Sequence, residues 1–436
     1  MDAKVNPKVD DIFERLTDHE QNQMAMGPAV TTITFMRGSC EKATKDLRER
    51  YLVMLKLNPW LCGQLQNNKD DKSLHLVYSS STANLVDADL DRLQLFNRQT
   101  RQRGKVKKIP KIKSTLGFYN VCNQVEKSVC EIPMGNECIG NKEPLISLSI
   151  LPDAERPDDT FVVIFSCSHV IVDGFTYYSL LSMLSSDGTP AAMNATRKHE
   201  ITQERDQCMG IEESKWGKAG STICNVVCSM LCSTKKVTIV NHFIDSNKIA
   251  LAKSKAKQES AFESFVSTND VITSSFGHAV SAKVMVMPIN LREKMEKYTN
   301  NDAGNYEGAL VLTAQDYQQA SFIRKTLSSY PPAFKRETMT SLPTGCANFN
   351  ARLAMCISWL FPVFNELRLD GCEQMLHMPH CDTKMIPFET AVVYRPRANQ
   401  TAIAFFVRSC GGESLKSMMP VGGEVINAEQ TLKVGE

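Results

Sequence analysis

Residues Thr160 to Ser185 read "TFVVIFSCSHVIVDGFTYYSLLSMLS". The opening run, Thr160 to Val170, is almost continuously apolar, as a strand covered on both faces would be. From Gly174 onward the pattern predicts a helix. Between them stands His169, one of 8 histidines in 436 residues, followed four positions later by Asp173 and then Gly174. A side chain at the C-terminal end of such a strand faces the crevice where α/β folds commonly bind ligands. An imidazole there titrates near neutrality, so it can take a proton from an alcohol or amine and return it to a leaving group. Asp173 has two readings: it orients His169 as a carboxylate does in a hydrolase triad, or it pairs with an arginine to fix the loop. Gly174 permits tight backbone geometry before the helix. No GxSxG surrounds any serine, which argues against a serine nucleophile. Ser168 points to the opposite strand face from His169, while Cys167 shares its face.

The same alternation extends outward. "AVTTITFM" (Ala29–Met36), "KSLHLVYS" (Lys72–Ser79), "LISLSILP" (Leu145–Pro152), "KKVTIVNHFI" (Lys235–Ile244), "KVMVMPINLR" (Lys283–Arg292), "GALVLTA" (Gly308–Ala314) and "TAIAFFVRS" (Thr401–Ser409) read as strands. Helices are predicted from Ser39 to about Leu57, where Ala43, Leu47, Tyr51 and Met54 share a face, and after "STND" at Ser267, dense in capping residues. Strands alternating with helices in both halves predict an α/β architecture. A chain of 436 residues exceeds the roughly 250–300 at which single cores stop growing, so two domains are expected. The boundaries read as 1–190, a polar crossover linker over 191–235, and 236–436.

The totals exclude several classes. Net charge is +2, with 42% hydrophobic and 22% charged residues, so no global field points at nucleic acid. The tract "RQTRQRGKVKKIPKIK" carries eight positive charges, from Arg98 to Lys113, and no acid. It reads as a solvated loop or as a surface that steers an anionic partner such as a CoA phosphate, an acidic carrier protein or a lipid surface. It lacks the interleaved aromatics that base stacking needs. The opening stretch shows no secretory h-region, and no run reaches the roughly 18 apolar residues of a membrane span. The 15 cysteines form no CxxC pair or disulfide framework, which places the expected compartment in the cytoplasm. Cys224, Cys228 and Cys232 fall at helical spacing and are expected to form a packing face, with peripheral membrane contact as the other reading. "HMPHCD" (His377–Asp382) has untypical spacing for a metal site, and no metal is expected. Loops of the GxxxxGK and GxGxxG types are absent.

"HVIVDG" matches the HxxxDG signature of the acyltransferase superfamily that includes plant BAHD enzymes, fungal acetyltransferases, chloramphenicol acetyltransferases, wax-ester synthases and peptide-synthetase condensation domains. "NPWLCGQL" (Asn58–Leu65) resembles the family's early P-x-L-A-G-R-L segment. "VSTNDVITSSF" (Val266–Phe276) is similar to its STND helix start, and "PINLR" with "GNYEGAL" (Pro288–Arg292, Gly304–Leu310) to its VNLR…GN stretch. "ISWLFPVFN" (Ile357–Asn365) looks like the approach to the last BAHD motif. That motif, DFGWG, is missing, the nearest stretch being "LRLDGC" at Asp370-Gly371, and Ser168 stands where condensation domains carry a first histidine.

The resemblance implies two chloramphenicol-acetyltransferase-like domains, each a mixed sheet flanked by helices, with a tunnel between them and His169 midway. It implies a monomeric, BAHD-like enzyme that moves an acyl group from a CoA thioester to a small-molecule hydroxyl or amine acceptor. His169 would be the general base in a ternary complex, with no permanently bound cofactor and acyl-CoA as co-substrate. Arg292 would pair with Asp173, which favours the anchoring reading of the aspartate. Ser358 or Trp359 would line the tunnel or supply an oxyanion donor. The alternatives are a condensation-like domain that takes acyl groups from a carrier protein, and a non-catalytic binding relative.

Overall fold

The computed structural model describes residues 10–22, 25–68, 71–97, 101–102, 105–106, 132–153, 156–231, 237–259, 265–338, 340–380, 386, 388–408 and 421–425. Most of the basic tract lies outside them. In chain order the strands are β1 (Asp11–Arg15), β2 (Val30–Arg37), β3 (Gln64–Asn67), β4 (Leu74–Ser79), β5 (Arg101–Gln102), β6 (Lys105–Val106), β7 (Ile146–Pro152) and β8 (Thr160–Cys167). They continue as β9 (Thr238–Ile244), β10 (Val284–Asn290), β11 (Glu307–Thr313), β12 (Leu353–Ser358), β13 (Glu373–His380), β14 (Glu389–Tyr394), β15 (Ala402–Val407) and β16 (Gly422–Val425).

Two large sheets organise the molecule. One has the order β13-β2-β8-β7 and the other β11-β10-β12-β14-β15-β9-β16. The first is antiparallel throughout. The second is mixed, because β12 runs parallel to both β10 and β14. A small sheet, β1-β4-β3, stands beside them. β8 is buried along its whole length and lies between β2 and β7, which explains its unbroken apolar run.

Helices cover the outer faces. The helix Cys40–Leu57 is capped by the Ser39 side chain and buries Ala43, Leu47, Tyr51, Met54 and Leu55, the face that the spacing predicts. The helix Thr268–Val280 starts in a capping box between Ser267 and Asp270, as the STND reading expects. Residues 191–235 include three helices, Ile201–Met209, Ile211–Lys218 and Gly220–Leu231. In the last of these the expected cysteine face is not the packing face. Cys224 is exposed and Cys228 half-buried, while Cys232 lies outside the described residues. The buried face is polar instead: Asn225 donates to the carbonyls of Asn348 and Ala351, and Asn348 donates to the hydroxyls of Ser221 and Thr222. Hydrogen bonds to the 345–351 segment, rather than thiol burial, decide the helix's rotation.

The two large sheets meet over a shared core. Ile33, Phe35, Val162, Ile164, Leu376 and Met378 of the first pack with Val392, Tyr394, Ala404 and Phe406 of the second. β13 reaches the first sheet from late in the chain, pairing with β2 from Glu373↔Arg37 to His380↔Thr31. No helix among the described residues is long and apolar enough to cross a membrane.

Candidate active site

β8 ends at Cys167, and the helix Gly174–Met183 begins seven residues later, so His169 and Asp173 share a short, mostly buried connection. The Tyr177 hydroxyl donates to the Phe165 carbonyl at 2.8 Å, which ties the first helical turn back to the strand. Asp173 is the N-cap: its Oδ1 accepts from the Thr176 amide at 2.9 Å. Its other oxygen accepts from Arg292 Nη1 at 2.6 Å and from the Tyr306 amide at 3.0 Å. None of the described partners of Asp173 is His169, so the aspartate anchors the loop and is not the third member of a triad.

Arg292 follows β10 and is 2% exposed. Besides Asp173 it donates through Nε to the Asp302 carbonyl (2.9 Å), and through Nη2 to Thr176 Oγ1 (2.9 Å) and the Gly304 carbonyl (3.0 Å). Its guanidinium lies 5.0 Å from the ring centres of both Phe175 and Tyr306. A buried pair this fully hydrogen-bonded repays its desolvation, and removing one partner typically costs about 3–5 kcal/mol. Gly174 does not adopt the left-handed conformation. A Cβ there would sit 3.1 Å from Phe361 Cε2, a contact tight enough that the ring would have to give by a few tenths of an ångström.

A second buried ion pair braces the same loop from the other side, and sequence reasoning missed it. Arg197 and Glu20 meet at 2.9 Å with side chains 0% and 1% exposed. Arg197 also donates to the carbonyls of Ala195, Ala303 and Ile171. Gly304, at φ +131°, could not carry a Cβ without meeting Glu20 Oε1 at 3.0 Å.

His169 itself is only partly buried. Its Nδ1 lies 3.1 Å from Asn305 Oδ1. The Asn305 amide nitrogen donates to the carbonyls of His169 (2.8 Å) and Val170 (3.3 Å), which fixes the orientation of the amide. Asn305 Oδ1 is therefore the acceptor and His169 Nδ1 carries the hydrogen. Nε2 is left with a free lone pair, as a general base needs. Asn305 stands in the GN pair that the sequence shows, but its role could not be read there because it depends on a contact 136 residues away in the chain.

Next to it, Glu307 opens β11 and is 28% exposed, with His19 Nε2 at 3.9 Å from Oε1. Burial pushes the Glu307 carboxyl up, but contact with His19 and the charges of His169, His19 and Arg292 outweigh it and hold it below its usual range. Cys167 is fully buried and its thiol is pushed well up by burial, so it is no nucleophile. Ser358 ends β12, and Trp359 follows it with its ring 5.8 Å from that of Tyr178. Neither side chain hydrogen-bonds to another described residue.

His377 of "HMPHCD" is a core residue. Its two ring nitrogens meet Thr34 Oγ1 (2.8 Å) and Tyr178 OH (3.1 Å). Cys381 and Asp382 lie outside the described residues, among which no His, Cys, Asp and Glu group could hold a metal. Two surface clefts, of about 580 and 520 Å³, are lined by residues that do not include His169.

No family model matches the chain, and no curated protein matches it in sequence. Solved structures do match it along nearly its full length. The F. graminearum protein TRI101, complexed with coenzyme A and T-2 mycotoxin, aligns with a TM-score of 0.60 at 12% identity, over 93% of this chain and 96% of its own. Polyketide synthase associated protein 5 from Mycobacterium tuberculosis gives 0.53 at 14% identity, over 94% and 97%. The first condensation domain of the calcium-dependent antibiotic synthetase gives 0.53 at 10%, over 93% and 94%. The chain has the fold shared by the CoA-dependent acyltransferases and the condensation domains, as its motifs imply.

Proposed function

We propose that the protein is an acyltransferase that moves an acyl group from a CoA thioester to a hydroxyl or amine acceptor, with His169 as general base. The observation that carries this is the Asn305 contact, which leaves Nε2 of a partly exposed imidazole free. A loop braced by two buried ion pairs holds that imidazole, on a fold shared with coenzyme A-bound acetyltransferases.

In this reading both substrates bind before chemistry, from opposite mouths of a tunnel between the segments 1–190 and 236–436. The acceptor's O–H or N–H gives its proton to His169 Nε2 as the heteroatom attacks the thioester carbonyl. The tetrahedral oxyanion needs a donor, and the Trp359 indole N–H or the Ser358 hydroxyl is the proposed one. Its collapse breaks the C–S bond, and the imidazolium returns the proton to the CoA thiolate. Asp173, Gly174 and Arg292 hold the loop and do no proton chemistry. Holding both substrates together makes the attack effectively unimolecular.

The test is thiol release from acetyl-, medium- and long-chain CoA against matched alcohols and amines. His169→Ala should lose about 10²–10⁴-fold in rate while melting at the wild-type temperature. Undiminished transfer in that variant removes the assignment. The condensation-domain likeness supports a second reading, in which the donor is a carrier-protein thioester. In that case free acyl-CoA gives no thiol, while the acylated carrier protein does.

A further inference from the structure

General-base catalysis at His169 creates an imidazolium, and that charge needs a counter-charge. Asp173 does not supply one, because both its oxygens are taken by Thr176, Arg292 and Tyr306. Arg292 and Asp173 also cancel each other locally. The carboxylate next along the chain from the imidazole's Asn305 contact belongs to Glu307, whose charge interacts with that of His169.

Three observations place it there. Asn305 and Glu307 are two residues apart as the chain runs into β11, so in extended backbone their side chains share a face, and Asn305 already touches His169. Among the described residues the ion-pair partner of the Glu307 carboxylate is His19, 3.9 Å away, and 28% of the Glu307 side chain is accessible. His19 is oriented to donate to it. The Asn22 carboxamide oxygen accepts from the Ala25 amide (3.0 Å), so its nitrogen donates to His19 Nδ1 (2.9 Å), and the ring hydrogen sits on Nε2, which faces Glu307.

We infer that Glu307 is a positioning residue that stabilises the imidazolium of His169 during transfer, with His19 steering its carboxylate. The inference rests on the general-base reading of His169. The charged groups around Glu307 come from four segments: His19 from the N-terminal stretch, His169 from the end of β8, Arg292 from the end of β10, and Arg205 from the helix Ile201–Met209. Arg292 is neutralised by Asp173, and Arg205 lies near Asp18 and Asp206 as well as Glu307. No bond to Glu307 forms or breaks. The proton moves from the acceptor to His169 and then to the CoA thiolate, while the carboxylate stays ionised.

The sign follows from the charge. A carboxylate favours imidazolium, so replacing Glu307 with Gln removes charge that would stabilise the protonated ring. The acid limb of kcat/KM, where the base must be unprotonated, moves to lower pH by about half a unit or more. On the alkaline plateau kcat drops about tenfold with little change in KM, because the counter-charge acts only once the imidazolium forms. Glu307→Asp keeps the charge and should recover part of kcat and hold the limb near its wild-type position. Titration of the His169 ring by NMR in the wild type and in Glu307→Gln gives the same shift without substrate.

An unmoved limb and an unmoved ring titration in Glu307→Gln overturn the inference. So does equal loss in the Gln and Asp variants, which would mark a packing role. If His169→Ala retains transfer, the general-base reading falls and takes this inference with it. A shifted ring titration with no effect on kcat overturns the catalytic role alone.

Discussion

The amide of Asn305 does two jobs, and they can be separated by measurement. Its oxygen selects the tautomer of His169, while its nitrogen satisfies two loop carbonyls. Asn305→Ala leaves Nδ1 without an acceptor and frees the ring to rotate or to move its hydrogen to Nε2. Misplacing a base by about 1 Å is enough to cost on the order of a hundredfold in rate. The expected result is a drop in kcat of about that size with KM nearly constant, and a melting temperature lowered by the two lost carbonyl contacts. Unchanged kcat would mean that the ring is oriented by something else. A loss of stability with no loss of kcat would assign Asn305 to the loop alone.

At the scale of elements, β13 carries a titratable group into the core. His377 is completely buried, its nitrogens facing the hydroxyls of Thr34 on β2 and Tyr178 on the helix Gly174–Met183. Burial lowers its pKa from 6.5 to about 3. Below the unfolded value the unfolded chain takes up a proton that the folded chain refuses. Stability is therefore whole above about pH 6.5 and falls as pH drops towards about 3, by roughly 1.4 kcal/mol per unit. His377→Gln removes that titration, so the fall in urea midpoint between pH 7 and pH 5 should be smaller in the variant. Equal falls in both proteins would show that other groups set the acid limb. β13 also marks the limit of what the sequence reveals. β2, β4, β7, β8, β9, β10, β11 and β15 could be read from alternation or apolar runs. Glu373–His380 could not, because it mixes Pro379 with two histidines and its pattern is set by a partner far away in the chain. The proline fits because β13 is an edge strand of its sheet. The site divides in the same way. His169, Asp173, Gly174, Arg292 and Asn305 stand in recognisable local motifs, although the contact of Asn305 with His169 does not show there, whereas Glu20, Arg197 and Glu307 acquire meaning only when distant segments meet.

For the molecule as a whole, the consequence of that crossing strand is mechanical coupling. Residues after the second half has begun complete a sheet of the first, and Leu376 and Met378 fill the core between the two sheets. The two sheets should therefore unfold as one unit rather than in sequence. Trp60 sits in the core under the helix Cys40–Leu57, and Trp216 packs with Val284, Val311 and Leu353 at the far sheet, so each reports on a different half. Variants that keep only one of these tryptophans should give coincident denaturation curves. Leu376 has no exposed surface, and Leu376→Ala should cost about 2–5 kcal/mol through lost burial and the cavity left behind. If the strand clasps the halves together, that loss moves both tryptophan midpoints by the same amount, although Leu376 touches neither reporter's cluster. A Trp60 transition that shifts while the Trp216 transition stays in place would show two independently stable halves. In that case β13 would be an added edge strand on the first sheet and not the element that joins it to the second.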